Sequence, residues 1–407
     1  MILDLINKKR LGLELSYKEI ADFFNGYLDG DVADYQMSAM LMAICINGMT
    51  DEETYALTKV FIDSGDVLDF SDMGITVDKH STGGIGDKTS LVIVPIVAAC
   101  GGTVIKMSGR GLGYTGGTID KLESIPGFKT NLTDDQIINQ VHNIGAVLTG
   151  QTADLVPMDK VIYSLRDVTS TVSSIPLIAS SIMSKKIAGG ADKILIDIKV
   201  GNGALLSKKE DAEKLSELMI KIGEVYNREV RTIISDMNTP LGNSIGNSLE
   251  VLEAIDVLKG KEIDNNFYHL CIELASNMVS MSLGVSLKEA KDKVLEVIDN
   301  RSAYKKLEEI VNCQKGDLSG LKVSSYTYKI IAPKSGTIKK IDALELGKLS
   351  LKLGAGKEKI SDKIDHTVGI KLKKYLGESV KKGDVLAQVY YNKKKIEVKI
   401  DDIYKIE

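Results

Sequence analysis

The stretch ITVDKHSTGGIGDKTSLVIVPIVAACGGTVIKM, residues 75–107, contains two short β-type segments on either side of an apolar run. ITVDK predicts a strand, TSLVIVPIVAAC a buried helix, and GGTVIKM a turn followed by a second strand. Strand, helix and strand in this order form a βαβ unit with its strands parallel in one sheet. The sequence therefore predicts an α/β fold around a central parallel or mixed sheet.

A different pattern precedes this unit. Ser16 with Glu19, and Thr50 with Glu53, match the capping box, in which a hydroxyl and a carboxylate satisfy free backbone donors at the start of a helix. The residues between them are rich in Ala, Met and Leu, as in a helix buried on several sides. We expect the first 65 residues to form a small all-α domain.

Further strands and helices follow the βαβ unit. DKILIDIKVG and RTIISD predict strands, separated by a helix that starts at the capping-box pattern of Ser207 and Glu210. A second such pattern, Ser286 with Glu289, predicts a later helix. From about Tyr328 the chain is rich in β-branched residues, lysine and glycine, which predicts a β-rich C-terminal subdomain.

Composition excludes several classes of function. The chain has 407 residues, 43% of them hydrophobic, and a net charge of −4, with no charge excess that would favour a nucleic-acid or membrane partner. Four cysteines without paired spacing predict neither a disulfide framework nor a zinc site. The apolar run LVIVPIVAAC is about half as long as a membrane span requires. Because the N-terminus also lacks a signal-peptide pattern, we expect a cytoplasmic protein.

Two glycine-rich loops follow the two strands of the βαβ unit. GGIGDKT is not a nucleotide-triphosphate loop, because Asp87 separates Gly86 from Lys88, and it lacks the third glycine of the dinucleotide fingerprint. Hydroxyls, one ammonium and close backbone amides suit a compact tetrahedral anion such as free phosphate. The candidate donors are Lys79, Ser81, Ser90, Ser108 and Thr118. The alternative is that the glycines only turn the chain and the hydroxyls only cap helices.

A third stretch, residues 164–190, supplies donors of another kind. It contains Arg166, and it contains Ser181 and Lys185 at a spacing that places both on one helix face. A hydroxyl, an ammonium and a guanidinium can together bind a planar ligand rich in carbonyl oxygens. On their own, Ser181 and Lys185 would more often be surface residues.

The motifs that carry these donors closely resemble those of the thymidine and pyrimidine-nucleoside phosphorylases. They are DKHSTGGIGDKTS, KMSGRGLGYTGGTIDKLESIPGF, LRDVTSTVSSIPLIASSIMSKK and DIKVGNGA. The resemblance implies an all-α domain of residues 1–65 and 160–190, which binds the base and forms the contacts of a homodimer. It also implies an α/β phosphate-binding domain of residues 70–158 and 191–328, and a β-rich subdomain of residues 329–407.

The resemblance further implies a reaction and its ligands. Phosphate attacks C1′ of uridine, thymidine or deoxyuridine and releases the base and a pentose 1-phosphate, with inorganic phosphate as co-substrate and no organic cofactor. Gly109 and Arg110 join the phosphate donors named above, and Arg166, Ser181 and Lys185 match the base ligands. Of these, Arg166 and Lys185 are expected to be catalytic together with His80, which would donate toward the base O2. Without the resemblance, a structural hydrogen bond would be the simpler role for His80.

Two positions depart from the family pattern. Tyr114 stands where many members have histidine. Lys88 stands where some members have a threonine that helps bind a monovalent cation, and the matching positions are Gly86, Lys88, Leu241, Ser244 and Glu253. We predict that Lys88 pairs with Glu253 and replaces the cation, so that potassium is dispensable. The alternative is that Lys88 points to solvent and a cation still binds.

The substrate range is less sharply determined than the reaction. The resemblance covers enzymes that accept uridine and enzymes strict for thymidine or deoxyuridine, and we favour the broader activity over a strict thymidine phosphorylase. A non-catalytic nucleoside-binding protein is the further alternative, but it would have broken ligand positions. The expected partners are thus a small pyrimidine nucleoside and phosphate, with no nucleic acid and no membrane.

Overall fold

The computed structural model describes residues 2–111, 114, 116–152, 154–261, 263–357, 359, 362–392 and 396–407. The chain forms two compact units. Unit 1 comprises Met1–Thr76, Thr152–Ile194 and Lys209–Thr232, and unit 2 comprises Val77–Gln151, Leu195–Lys208 and Ile233–Glu407.

Helices open the chain, as predicted. They are α1 (Ile2–Arg10), α2 (Tyr17–Leu28), α3 (Asp34–Asn47) and α4 (Asp51–Asp63). The predicted capping boxes at the starts of α2 and α4 are both formed. Helix α1 packs on α3 and α2 packs on α4, with the ring of Phe24 edge-on to Phe23 and Phe61 at centroid distances of 5.9 and 6.0 Å. Aromatic and aliphatic burial therefore holds this part of unit 1 together.

The βαβ unit is confirmed. It consists of β1 (Thr76–Ser81), α5 (Thr89–Ala99) and β2 (Thr103–Ser108). Every residue of α5 from Thr89 to Val97 is buried, which explains why the helix is apolar all round and shows no amphipathic stripe.

The chain then alternates between helices and strands. The elements are α6 (Thr118–Leu122), α7 (Asp134–Ile144), β3 (Ala146–Gly150), α8 (Pro157–Val168), α9 (Ile175–Ala188), β4 (Lys193–Val200), α10 (Lys209–Val225) and β5 (Glu229–Asp236). The central sheet has the order β3-β2-β1-β4-β5, and β2 runs parallel to β3 with Val104 opposite Ala146. Strands β1 and β2 are neighbours, so both glycine-rich loops leave the same edge of the sheet.

Helix α10 differs from the prediction in two ways. It packs on α9 and α4 and belongs to unit 1, whereas the sequence placed it with the α/β domain. It also begins at Lys209, so Ser207 and Glu210 do not flank its first turn as a capping box requires. A turn after β4, closed by a hydrogen bond of 3.0 Å from the Gly201 amide to the Leu206 carbonyl, precedes the helix.

Further helices and a short strand follow in unit 2. They are β6 (Ser244–Ile245), α11 (Asn247–Leu258), α12 (Asn266–Leu283), α13 (Leu287–Asp299) and α14 (Ser302–Cys313). Helices α12 and α14 pack on α5 and complete the main hydrophobic core. Among the described residues, no single helix is long and apolar enough to span a membrane; α12 and α13 meet the length and composition criteria only as a pair bent by 115°.

The C-terminal part is rich in strands, as predicted, and adds a helix of eleven residues. Its elements are β7 (Thr327–Ile331), β8 (Gly336–Ile341), α15 (Ala343–Leu353), β9 (Gly369–Leu372), β10 (Ser379–Val380), β11 (Val385–Tyr390), α16 (Ile400–Ile403) and β12 (Tyr404–Ile406). One sheet has the order β10-β8-β12 and the other β6-β9-β11-β7. Strand β6, from the α/β part of the sequence, thus completes a C-terminal sheet.

Candidate functional site

Lys79 lies buried near the carboxyl end of β1. Its Nζ donates a hydrogen bond of 2.6 Å to Thr89 Oγ1 at the start of α5, and it lies 3.5 Å from Asp197 Oδ2 on β4. The side chain is 1% exposed. An ammonium this deeply buried needs fixed partners, and these contacts determine where Lys79 points.

Asp87, in the first glycine-rich loop, gathers the neighbouring hydroxyls. It accepts a short hydrogen bond from Ser81 Oγ, and one of 2.6 Å from Thr89 Oγ1. Burial opposes ionisation of this carboxyl, but the ammonium groups of Lys79 and Lys199 and the two hydroxyls hold its pKa well below the usual range. Asp87 is therefore a charged anchor for the loop.

Asp197 joins Lys79 to a second buried ammonium. Lys199 Nζ lies 2.7 Å from Asp197 Oδ2, and Ser235 Oγ donates a bond of 2.6 Å to Asp197 Oδ1. Burial disfavours the charged form of Lys199, but Asp197 and Asp87 raise its pKa. Both side chains are 0% exposed, so this is a paired charge cluster in the interior of unit 2.

The second glycine-rich loop is attached at both ends to α6. Asp120 Oδ2 accepts backbone hydrogen bonds from Gly111 at 2.7 Å and Gly117 at 3.1 Å. Lys121 Nζ donates to the Gly116 carbonyl at 2.7 Å and lies 3.4 Å from Glu250 Oε2 on α11. Leu112, Gly113 and Thr115 of this loop lie outside the described residues. The described part of the loop is thus positioned by buried charges next to it in sequence and on α11.

The structure brings the predicted phosphate residues to one edge of the sheet in unit 2. Ser81 and Ser108 end β1 and β2, while Ser90 and Thr118 lie in the first turns of α5 and α6. Ser108 Oγ is buried with no hydrogen-bond partner among the described residues, so it remains available to a ligand.

The other residues singled out near the two glycine-rich loops differ in exposure. Gly109 is exposed, and the Arg110 guanidinium, 49% exposed, pairs with Glu123 at 2.6 Å and with Asp120 at 3.4 Å. His80 is half-buried on β1 beside Lys79, and Tyr114 is 38% exposed. Arg110 thus has two carboxylate partners in the structure.

The predicted base residues form a separate cluster in unit 1. Lys185 Nζ on α9 donates to Ser181 Oγ at 2.8 Å, which confirms that the two share a helix face, and to Asp159 Oδ2 on α8 at 2.5 Å. The ring of Tyr163 lies 5.6 Å from the Lys185 ammonium and 5.4 Å from the Arg166 guanidinium. Sequence reasoning missed Asp159 and Tyr163, although their spacing of four on the helix that carries Arg166 was a usable signal.

Arg166 holds the chain between α8 and α9. The residue is 1% exposed. Its guanidinium donates to the carbonyls of Val172 at 2.8 Å, Leu177 at 3.1 Å and Thr171 at 3.3 Å. Burial lowers the pKa of Arg166, an effect opposed by the Asp159 carboxylate. These three bonds use three of the five guanidinium N–H groups. Arg166 therefore has a structural role whether or not it also binds a ligand.

The residues that match the cation site surround Lys88. Lys88 Nζ donates to the carbonyls of Leu241 at 2.6 Å and Ser244 at 3.1 Å, and it lies 2.6 Å from Glu253 Oε2. Gly86 approaches so closely that a Cβ there would stand 2.7 Å from the Leu241 carbonyl oxygen. The Lys88 side chain is 0% exposed, so the predicted pairing with Glu253 is present and the solvent-facing alternative is wrong.

Acidic, histidine and cysteine side chains of the described residues do not form a multivalent metal site. No group of three or more His, Cys, Asp or Glu side chains is arranged there to hold a metal ion. The carbonyls and carboxylate around Lys88 are hard oxygen donors, of the kind that alkali cations accept, and here they bind an ammonium.

Three family models match the chain. The a/b domain of the glycosyl transferase family matches residues 73–304, its helical bundle domain matches residues 3–65, and the pyrimidine nucleoside phosphorylase C-terminal domain matches residues 337–406. These matches follow the order of the helical, α/β and β-rich parts described above.

Similar proteins match along nearly the whole chain. The pyrimidine-nucleoside phosphorylase of Staphylococcus haemolyticus is 47% identical over 99% of this chain and 94% of its own length. That of Bacillus subtilis is 46% identical over 99% and 95%. Among solved structures, anthranilate phosphoribosyltransferase from Thermus thermophilus covers 77% of this chain and all of its own, with a TM-score of 0.60 and 18% identity. The structural likeness shows the fold alone.

Proposed function

The chain belongs to the pyrimidine-nucleoside phosphorylase family, and from this membership we propose that it catalyses reversible phosphorolysis of uridine, thymidine and deoxyuridine. Phosphate attacks C1′ directly and yields the free base and ribose or deoxyribose 1-phosphate. The observation that supports this most strongly is buried Lys79, whose ammonium donates to the Thr89 hydroxyl, in a sheet whose neighbouring strands β1 and β2 end in Ser81 and Ser108. The reaction needs inorganic phosphate as co-substrate and no organic cofactor.

We assign phosphate to the donors in unit 2. Lys79 supplies an ammonium, Ser108 a hydroxyl with no partner among the described residues, Ser90 lies in the first turn of α5, where backbone amides favour an anion, and Thr118 adds a hydroxyl at the start of α6. Ser81 donates to Asp87 and must turn its hydroxyl, or accept, to take part. Fixed donors of this kind hold the attacking oxygen in place and contribute by proximity and orientation.

We assign the base to the cluster in unit 1. As the bond to C1′ breaks, negative charge develops on the base, and the Lys185 ammonium and the Arg166 guanidinium stabilise it. Ser181 contributes a hydroxyl, and Asp159 holds the Lys185 ammonium in place. His80 is proposed to donate toward the base O2. No covalent enzyme intermediate is required.

A phosphate-dependent base-release assay tests this function. We expect release from uridine, thymidine and deoxyuridine, and none from cytidine or AMP. Release from the deoxynucleosides alone would make the protein a strict thymidine phosphorylase. Bound nucleoside without base release would make it a non-catalytic nucleoside-binding protein, which would contradict the proposal.

We propose that the Lys88 ammonium takes the place of a bound monovalent cation. It contacts two carbonyls and a carboxylate and leaves no room for a separate ion at those oxygens. Activity in sodium-only and potassium buffers of equal ionic strength should therefore be the same for the wild type, whereas Lys88→Thr should depend on potassium. Wild-type activity that falls without potassium and returns with it would contradict this.

We also propose that the protein is a homodimer formed through unit 1. Its described helices carry large apolar side chains in water: Leu3, Tyr35, Ile46 and Val168 are 69–78% exposed. We expect a partner subunit to cover these side chains in the assembly. Light scattering should give twice the 44.2 kDa chain mass, and Ile46→Lys should weaken the assembly. A monomer at micromolar concentration would contradict the proposal.

The four cysteines support a cytoplasmic location, which we propose. Cys45, Cys100, Cys271 and Cys313 all lie within the described residues and are free thiols. Free thiols persist in a reducing compartment. Fractionation of the source cells should place the activity with the cytoplasmic proteins, and recovery with an exported fraction would contradict this location.

A further inference from the structure

Four charged side chains of alternating sign form a cluster in unit 2 that includes the proposed phosphate ligand Lys79. It runs from Lys199 to Asp197, from Asp197 to Lys79, and from Lys79 through Thr89 to Asp87. Asp87 in turn accepts from Ser81. Positive and negative groups alternate, and the two ammonium charges balance the two carboxylates.

The cluster is not needed to hold β4 in the sheet. A buried ion pair of this kind contributes little net stability compared with apolar side chains of similar volume, because removing the charges from water offsets their attraction. Strand β4 is otherwise built from such side chains, with Ile194, Leu195, Ile196 and Ile198 all 0% exposed. Charged residues at 197 and 199 in this strand therefore require a reason other than packing.

The geometry supplies that reason. Asp197 Oδ2 lies 2.7 Å from Lys199 Nζ and 3.5 Å from Lys79 Nζ, so a single oxygen faces both ammonium groups. Because Lys199 is nearer, it compensates more of the Asp197 charge than Lys79 does. Lys79 is thus oriented by Asp197 without being fully neutralised by it, and it retains attraction for an incoming dianion.

We propose that Asp197 and Lys199 are positioning residues for phosphate: Lys199 balances Asp197, and Asp197 orients Lys79 toward the ligand. This inference rests on the proposed function, because it takes Lys79 as a phosphate ligand. Neither residue touches the substrate. Their effect on the reaction is transmitted through the Lys79 ammonium and through the hydroxyl of Thr89, which links Lys79 to Asp87.

The decisive comparison is between Lys199→Met and the double variant Asp197→Asn, Lys199→Met. The single change leaves Asp197 with Lys79 as its one ammonium partner in the cluster, and we expect the KM for phosphate to rise about tenfold or more with the KM for nucleoside unchanged. The double change removes both charges but keeps an amide oxygen at position 197 that can still orient Lys79, and we therefore expect the KM for phosphate to return to within about threefold of the wild type. Lys199→Arg, which keeps the charge, should behave like the wild type.

A matched control is available in unit 1. Lys9 and Glu53 form a buried pair of 2.8 Å with 3% and 2% exposure, outside both proposed ligand clusters. Lys9→Met should lower the melting temperature, as Lys199→Met does, without changing the KM for phosphate. An equal rise in the KM for phosphate in Lys9→Met and Lys199→Met would show a general loss of stability and would overturn the inference. A double variant as impaired as Lys199→Met would also overturn it, because the loss would then come from the missing Lys199 ammonium itself and not from the unbalanced charge of Asp197.

Calorimetric titration with inorganic phosphate separates this inference from the proposed function. If the wild type binds phosphate but releases no base, the proposed reaction fails while the comparison of phosphate affinities still decides the role of Lys199. If Lys199→Met does not fold, the double variant, which buries no unpaired charge, carries the test. An affinity for phosphate in that folded variant more than about tenfold below the wild type would then overturn the inference.

Discussion

The base cluster of unit 1 and the phosphate cluster of unit 2 manage buried charge differently. In unit 1, Arg166 and Lys185 face one carboxylate, Asp159, and most of the Arg166 donors bind backbone carbonyls. In unit 2, two ammonium groups face two carboxylates, and each carboxylate has more than one partner. Lys185 is 17% exposed, whereas Lys79 and Lys199 are 1% exposed or less.

The difference suggests two ways to bind an anion. The base cluster has one more positive than negative charge, which suits a leaving group that becomes negative only as the reaction proceeds. The phosphate cluster is balanced, so attraction for a ligand that arrives charged comes from hydroxyls, helix starts and one oriented ammonium. Removing one charge should therefore affect catalysis most in unit 1, and phosphate affinity most in unit 2.

The largest expected effect is that of Lys185→Ala. The variant removes the ammonium that stabilises the developing charge on the base, so kcat should fall about 100-fold or more while the fold persists. Steady-state phosphorolysis and circular dichroism check this. Lys160→Ala, at an exposed position on α8, is the control and should retain wild-type kcat. An unchanged rate in Lys185→Ala would remove Lys185 from the base site.

A smaller effect is expected from Asp159→Asn. The amide keeps a hydrogen-bond acceptor for Lys185 but loses the charge that fixes it at 2.5 Å, so kcat should fall about tenfold with the KM for phosphate unchanged. Kinetics with each substrate varied in turn separate the two constants. A selective rise in the KM for phosphate would break the division between the clusters.

The smallest effect on catalysis is expected from Asp87→Asn, where the change in stability depends on pH. Because the pKa of Asp87 is lowered from 3.8 on folding, its charge adds to the free energy of unfolding above that pH, and the contribution is lost as pH falls through the lowered pKa. The variant should therefore be less stable than the wild type at pH 7, and the gap should narrow in acid. Urea unfolding at several pH values measures the difference in free energy of unfolding between the wild type and the variant. A difference that does not depend on pH would exclude the Asp87 charge as its cause.

Local patterns predicted the fold well because they are set by neighbouring residues. The βαβ unit and three capping boxes, at Ser16, Thr50 and Ser286, are present in the structure. The predicted start of α10 was wrong: the helix begins later, after a turn closed by the hydrogen bond between Gly201 and Leu206. Its place in unit 1 depends on packing with α9, which no local pattern contains.

The candidate site was predictable where a motif carried its residues together. Lys79, Ser81 and Ser90 come from one stretch, and the pairing of Lys88 with Glu253 followed from the family's cation positions. Asp159 was missed because its partner lies on the next helix. Asp197 and Lys199 were missed because a strand buried on both faces has no polar alternation to mark them, although a charge inside such an apolar run is itself a signal.

Strand β6 makes the β-rich tail inseparable from the centre of the molecule. Ser244, whose carbonyl binds Lys88, pairs with Lys371 of β9, and the Asn243 carbonyl accepts from the Leu372 amide at 2.7 Å. The tail is consequently no detachable module: a domain swap or deletion at residue 329 would remove a strand partner from the very segment that encloses the Lys88 ammonium. We therefore expect a chimaera of two relatives to keep the Lys88 environment when the C-terminal sequence and the loop at 241–246 come from the same parent.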